Sequence, residues 1–87
     1  MACRPQALPT RYDGLVVEVQ AASFLQIASF TLRTDDGTLI EMTVEGDVGM
    51  TQSHLREHMA LGDPVSVTAR HADGLTIATR IEDPRPQ

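Results

Sequence analysis

Residues 27–45 read IASFTLRTDDGTLIEMTVE, and this stretch decides the fold. Apolar and polar side chains alternate on both sides of Asp35-Asp36-Gly37, which is the pattern of two strands that each bury one face. Aspartate followed by glycine tolerates the positive φ angles of a tight hairpin turn. The stretch therefore predicts a β-hairpin with strands at Ile27–Thr34 and Thr38–Glu45.

A further strand is predicted upstream of this hairpin, at Gly14–Gln20. Its apolar residues Leu15, Val17 and Val19 alternate with three other side chains, which is the period of a half-buried strand. We expect these three residues to share the inner face. Residues 21–26 are expected to form a loop or bulge that leads into the hairpin.

A helix is predicted downstream of the hairpin, over Gln52–Leu61. Thr51 precedes it and is expected to be the N-cap, because its hydroxyl can accept a hydrogen bond from a free backbone N–H. Gly62 can adopt the left-handed conformation that ends a helix, and Pro64 cannot continue one. The helix is therefore bounded by local signals at both ends.

Two strands follow the helix, at Val65–Arg70 and Leu75–Ile81, and Asp73-Gly74 provides the turn between them. In the last strand, alternation places three side chains inward and three outward. The inward set is Leu75, Ile77 and Ile81, and the outward set is Thr76, Ala78 and Arg80.

Three strands, a helix and two strands is the element order of the OB-fold, a five-stranded, partly open Greek-key barrel. The sequence therefore predicts a mainly β, OB-like barrel with one short helix between strands three and four. The alternative is an open antiparallel sheet with the helix packed on one face. The 87 residues suffice for one domain. We expect a flexible leader over residues 1–10, the barrel over residues 11–82 and a loose tail over residues 83–87.

Charge and composition narrow the classes of function. The net charge is −5 and all seven basic residues are arginines, so the domain repels nucleic-acid phosphates and anionic membranes. Cys3 is the only cysteine, which excludes a disulfide within the chain. The sequence has no apolar run of about 18 residues, the length of a membrane span, and its start lacks a signal peptide's apolar stretch. A cytoplasmic location is therefore expected.

Residues 54–58 read HLREH, which matches the H-x-x-E-H pattern of inverted zinc peptidases. On a helix, His54, Glu57 and His58 share one side, so they are the candidates for a metal site. An enzyme is not expected, because no further ligand is signalled downstream and the chain is too short for a peptidase cleft. The helical wheel places His58 between Leu55 and Leu61. We therefore expect a partly buried histidine that is hydrogen-bonded to a strand backbone.

Three outward-facing arginines, Arg33, Arg70 and Arg80, are the candidates for a nucleic-acid surface. OB-folds that bind single strands combine a basic groove with aromatic stacking platforms. The outward strand positions here are mostly threonine, glutamate and arginine, with no aromatic residue. The favoured interpretation is a solvated face with cross-strand pairs such as Arg33 with Glu41.

The segments FTLRTDDG (30–37), HLREH (54–58), PVSVT (64–68) and ATRIED (78–83) resemble a group of short bacterial hypothetical proteins, chiefly actinobacterial. The resemblance covers most of residues 11–83. The second half of the chain is also similar to bacterial OB-like domains of unknown function. No activity is established for either group, so the resemblance implies an OB-like fold and assigns no catalytic residue.

Taken together, the sequence predicts a non-enzymatic binding or interaction module without a catalytic residue or a cofactor. The favoured partner is a protein or a small molecule, and neither a membrane nor a nucleic acid. One alternative is a single-stranded nucleic-acid-binding OB domain. A second alternative is a metal-binding protein that uses His54, Glu57 and His58.

Overall fold

The computed structural model describes residues 9–23 and 26–83. Five strands and one helix follow one another in the predicted order. They are β1 (Thr10–Ala21), β2 (Ile27–Thr34), β3 (Leu39–Val44), α1 (Gln52–Leu61), β4 (Val65–Ala72) and β5 (Leu75–Glu82). The predicted leader lies outside the described residues except at its end, where Thr10 opens β1. Of the predicted tail, Asp83 alone is described.

The five strands close into a barrel in the order β1-β2-β3-β5-β4. Neighbouring strands are antiparallel except β3 and β5, which pair in parallel. β1 closes the barrel, because its first half pairs with β4 and its second half pairs with β2. The prediction of a mainly β, OB-like barrel with a helix between strands three and four is thereby confirmed, and the open-sheet alternative is excluded.

Gly14 is the point at which β1 passes from one neighbour to the other. It pairs with Thr34 of β2 and with Val65 of β4. A Cβ atom added at Gly14 would lie 2.3 Å from the carbonyl oxygen of Arg33. The backbones of β1 and β2 can therefore approach this closely only because residue 14 has no side chain.

A polar contact joins β1 to β4 beside this glycine. Ser66 is 3% exposed and lies opposite Asp13 in the register of the two strands. The Ser66 hydroxyl donates to Asp13 Oδ1 and accepts from Arg11 Nη2, at 2.5 and 3.0 Å. The buried hydroxyl is thus fully used in holding the two strands together.

In the described part of the chain, the buried core cluster consists of aliphatic residues and Met42 apart from Phe30, in keeping with the shortage of aromatic residues in the sequence. Leu55 anchors α1 to this core, since its side chain is fully buried among strand residues. Met50 and Met59, on either side of Leu55, pack against the same cluster. Burying a leucine of this kind contributes about 1.5–3 kcal/mol relative to leaving it exposed. One helical face is therefore fixed on the barrel, which leaves the opposite face to solvent.

A bulge in β1 changes the predicted inner face. The register against β2 passes from Val16 to Glu18, so that Val17 is the extra residue. Val16 and Val19 are consequently buried, whereas Val17 is 40% exposed. The prediction that Leu15, Val17 and Val19 share the inner face is wrong for Val17, and Leu15 is only half-buried.

A second bulge lies in β5, where the register against β4 skips Thr79. Ala78 is therefore buried, although it was expected to point outward. Leu75, at the start of the strand, is 50% exposed, although it was expected to point inward. Ile77 and Ile81 are buried as predicted.

The helix begins and ends at the predicted residues. Thr51 is the N-cap, and its side-chain oxygen accepts a hydrogen bond from the backbone N–H of His54 at 3.2 Å. Gly62 is the C-cap with φ of 70°, and the following Asp63 donates its N–H to the carbonyl of His58. In the part of the chain that the structure describes, no helix has the length and apolar character needed to cross a membrane.

Candidate functional site

One side of α1, the loop that follows the helix and the end of β5 border a surface pocket of about 440 Å³. Ionisable side chains dominate its lining. The described lining residues are His54, Glu57, His58, Leu61, Asp63, Pro64 and Asp83. Two imidazoles and three carboxyl-bearing residues therefore meet at one opening to solvent.

The β4–β5 hairpin brings these residues together. β4 begins at Val65, directly after the segment that ends the helix, and Ser66 at its second position pairs with Glu82 of β5. Asp83, the next residue along, therefore lies beside Pro64 and the last turn of α1. The position of Asp83 in the pocket is a consequence of hairpin register.

His58 is in contact through both of its ring nitrogens. Nε2 lies 2.6 Å from Oδ1 of Asp83, and Nδ1 lies 3.3 Å from the carbonyl oxygen of Asp63. The His58 side chain is 11% exposed, so the predicted partial burial is confirmed. The expected hydrogen bond to a strand backbone is not the one observed, since the partners of His58 are the carbonyl of Asp63, in the loop between α1 and β4, and the carboxylate of Asp83.

Both ring nitrogens of His58 lie against oxygens that can only accept a hydrogen bond, the Asp63 carbonyl and the Asp83 carboxylate. A neutral imidazole carries one N–H, so it donates either from Nδ1 to Asp63 or from Nε2 to Asp83. With the proton on Nδ1, the lone pair of Nε2 faces the carboxylate of Asp83.

His54 lies one turn before His58 and is exposed. The two imidazole rings stack, with centroids 5.1 Å apart and planes inclined by 14°. One ligand atom each from His54, His58 and Asp83 lie within 4.8 Å of one another. These three side chains come from two elements, and they form a compact group with two nitrogens and one oxygen.

Glu57 lines the same pocket but is not a member of this group of three. The predicted metal candidates His54 and His58 are thus brought together, and Asp83 takes the place expected for Glu57. Sequence reasoning missed Asp83 because it was assigned to the tail. The turn at Asp73-Gly74 was the signal that could have placed Asp83 near the helix. Counting outward from this turn along the two strands pairs residue 83 with residue 64, which follows the end of α1.

The arginine candidates are exposed, as expected, but two of them have carboxylate partners. Arg70 Nη2 lies 2.9 Å from Glu45 Oε1, and Arg80 Nε lies 3.0 Å from Glu82 Oε2. Exposed pairs of this kind contribute about 0–1 kcal/mol to stability. Their charges are balanced locally, so they do not add up to a basic stripe.

The third candidate, Arg33, does not pair with Glu41 as expected. The register of β2 and β3 places Leu39 opposite Arg33 and Thr31 opposite Glu41. Within residues 9–23 and 26–83, no ion pair joins Arg33 to Glu41. The expected cross-strand pair is therefore wrong, because Glu41 lies two residues along β3 from Leu39, the register partner of Arg33.

The outer face of β2 and β3 is the surface that binds oligonucleotides in many OB-folds. Three outward pairs make up this face, and their residues are Ser29 with Thr43, Thr31 with Glu41 and Arg33 with Leu39. None of the six is aromatic, and the single positive charge is matched by a single negative one. This face lacks both elements of a single-strand binding surface.

The described part of the chain thus presents one group of nitrogen and oxygen ligands and one OB-type face without stacking platforms. The resemblance to short bacterial proteins stays a prediction. No protein-family model matches the sequence, and comparison with curated proteins and with solved structures finds no match.

Proposed function

We propose that this chain is a small, non-enzymatic binding module that takes up a cationic ligand in the pocket between α1 and β5. The observation that carries the proposal is the composition of the pocket, in which Glu57, Asp63 and Asp83 meet two histidines. With the three carboxyl groups ionised, the lining stays negative even if both imidazoles are protonated. A negative, solvent-open pocket attracts cations and repels phosphates and carboxylates.

The arginines that the structure describes do not neutralise this pocket. No arginine is among its described lining residues. Arg70 and Arg80 are paired with Glu45 and Glu82. The net charge of −5 adds a negative field over the whole domain. Within the described residues, no arginine therefore competes with an incoming cation for the pocket carboxylates, and Asp83 is in contact with His58.

A binding role is better supported than a catalytic one. The described lining residues include no serine, threonine, cysteine or lysine that could act as a nucleophile. Ser66, the buried polar residue among those that the structure describes, has its hydroxyl engaged with Asp13 and Arg11. The pocket volume of about 440 Å³ falls in the range of small-ligand sites.

The test is an NMR titration of the ¹⁵N-labelled chain with putrescine, arginine amide and divalent metal chlorides. We expect saturable shifts in the last half of α1 and at the end of β5 for at least one of these cations. Asp83→Asn should weaken that binding by more than about tenfold, which corresponds to about 1.4 kcal/mol.

Glu41→Gln is the matched control, because Glu41 is an exposed carboxylate on the outer face of β3. This variant removes the same charge from the chain and should leave the affinity unchanged. If both variants weaken binding equally, the loss of affinity comes from the change in net charge and not from the pocket. Chemical shift changes confined to other parts of the barrel would contradict the proposed site.

A further inference from the structure

We infer that the cation is a divalent transition metal, held by His54, His58 and Asp83. The inference rests on the proposed function, since it names the ligand of the same pocket. The ligand atoms of these residues already lie within 4.8 Å of one another. Imidazole nitrogens with one carboxylate oxygen form a donor set that suits zinc and its neighbours in the first transition row.

The helix supplies the first half of the site. His54 and His58 are separated by four residues on α1, a spacing that puts both rings on one face and lets them stack at 5.1 Å. The N-cap at Thr51 fixes the start of the helix, and the core contact of Leu55 fixes its rotation. The two imidazoles are therefore presented side by side, with His58 packed at the border of the core-facing side and His54 exposed.

The loop after the helix supplies a supporting contact. Metal-bound histidines almost always donate their second ring N–H to a carbonyl or carboxylate, which fixes the tautomer. His58 can adopt this arrangement, since its Nδ1 lies 3.3 Å from the Asp63 carbonyl oxygen and donates to it when the proton is on Nδ1. Nε2 is then the ligating atom, and it faces the carboxylate of Asp83.

The contact between Nε2 and the carboxylate requires a proton or a metal ion between the two atoms. At 2.6 Å, a lone pair and a carboxylate oxygen repel each other unless a proton or a metal ion lies between them. A metal ion replaces the proton and draws His54 in as a third ligand. A proton explains the contact of His58 with Asp83 and gives no role to His54. A metal ion explains the same contact and also binds the imidazole of His54, which is stacked on His58.

Only side-chain movements are needed to complete the site. A tetrahedral ion with bonds of about 2.0–2.2 Å needs ligand atoms about 3.3–3.5 Å apart. The Asp83 oxygen must move slightly away from Nε2, and the His54 ring must move closer. Both residues are free to do so, because His54 is exposed and the Asp83 side chain is 62% exposed. His58, packed at 11% exposure, stays in place.

The experiment is an isothermal titration of the EDTA-treated and dialysed full chain with ZnCl₂, together with ¹⁵N NMR of the imidazoles. We expect one ion per chain and a dissociation constant in the micromolar range or below. The Nε2 signal of His58 should show the shift of a metal-bound nitrogen, while Nδ1 stays protonated. His54→Ala and Asp83→Asn should each weaken binding by more than about tenfold.

Three control variants make the result specific. His71→Ala removes an imidazole outside the pocket, Glu41→Gln removes an exposed carboxylate on the outer face of β3, and Cys3→Ser removes the only thiol. All three should bind zinc as the parent chain does. Both ligand substitutions fall on exposed side chains, so the folded state is expected to survive them.

The inference is overturned if zinc does not bind, if His54→Ala and Asp83→Asn bind it unchanged, or if binding depends on His71 or Cys3. Failure of the inference is separable from failure of the proposed function. If zinc fails but putrescine or arginine amide still shifts the pocket residues, the metal is wrong and the cation-binding module stands. If neither zinc nor the organic cations bind the pocket, both are wrong.

Discussion

His58 Nε2 and Asp83 Oδ1, 2.6 Å apart, tie the last turn of the helix to the end of the last strand. In metal-free protein we expect Asp83→Asn to lower the free energy of unfolding by about 0.2–1 kcal/mol, since the carboxylate is largely exposed. The loss should shrink at high salt, where exposed charges are screened. Urea unfolding at low and high salt measures it. A loss that is independent of salt would show that the contact is not ionic.

The two histidines of the pocket should contribute unequally to stability when EDTA is present. His58→Ala removes a packed side chain and two polar contacts, and should cost about 1–3 kcal/mol. His54→Ala removes an exposed ring and should cost less than about 0.5 kcal/mol. Thermal melting of both variants beside the parent chain measures the difference. Equal losses in EDTA would contradict the packing difference between them.

Gly14→Ala should be among the most damaging small substitutions in the barrel. The new methyl group would overlap the Arg33 carbonyl at 2.3 Å, and a strand backbone cannot rotate away. We expect a loss of about 1–3 kcal/mol, the usual cost of overpacking. Gly37→Ala is the control, since its φ is 88° and its Cβ would meet open space. Urea unfolding of both variants separates steric overlap from backbone strain, and a smaller loss for Gly14→Ala than for the control would refute the overlap.

The turn between β2 and β3 contains a carboxylate with an altered pKa. The Thr34 hydroxyl, followed by the backbone N–H of Thr38, donates to Asp36 and holds the pKa of Asp36 below its ordinary value of 3.8. Because the folded pKa is the lower one, the ionised carboxylate stabilises the turn above pH 3.8, and this contribution is lost as the pH falls through the lowered pKa.

We therefore expect Thr34→Val to raise the pKa of Asp36 toward its ordinary value. An NMR titration of the side-chain carboxyl carbon in both proteins measures the change. Asp35, the neighbouring aspartate, serves as an internal control, because it takes no part in these hydrogen bonds. An unchanged pKa of Asp36 in the variant would assign the shift to a group other than the threonine hydroxyl.

Single-stranded nucleic acid is expected to bind weakly or not at all at physiological salt. The net charge is −5, and the outward pairs of β2 and β3 provide no aromatic stacking platform. Fluorescence anisotropy with labelled oligonucleotides measures this directly. Micromolar affinity that falls steeply with added salt would contradict the expectation. In that case Arg33, Arg70 and Arg80 would again be the candidates for a nucleic-acid-binding surface.

The sequence predicted β2 and α1 to the residue, because each is bounded by local chemistry. The turn that contains Asp36-Gly37 follows β2, while Thr51 and Gly62 cap α1. The orientations of Val17 and Ala78 could not be predicted in the same way. Each depends on a bulge whose position is set by pairing with a strand distant in sequence, and alternation within one strand carries no information on it.

In the candidate site, too, the residues that depend on local structure could be predicted, and the residue that depends on strand pairing could not. His54 and His58 lie on one helix, and their spacing alone places them together. Asp83 joins them through the register of a hairpin that a bulge at Thr79 shifts by one residue. The prediction of a loose tail at Asp83 did not take this register into account, although the turn at Asp73-Gly74 determines the pairing of the two strands to within one residue.

The double pairing of β1 has a consequence for how the chain reaches its native state. The contact of Asp13 with Ser66 joins residues 53 positions apart, and it forms only when the first strand meets the fourth. The β2–β3 and β4–β5 hairpins join residues close in sequence and can form early. Pairing of β1 with β4 closes a loop of nearly the whole domain, so it has the larger cost in chain entropy. The rate-limiting step should therefore be the arrival of the first strand, and substitutions at Gly14 or Ser66 should slow folding more than they accelerate unfolding.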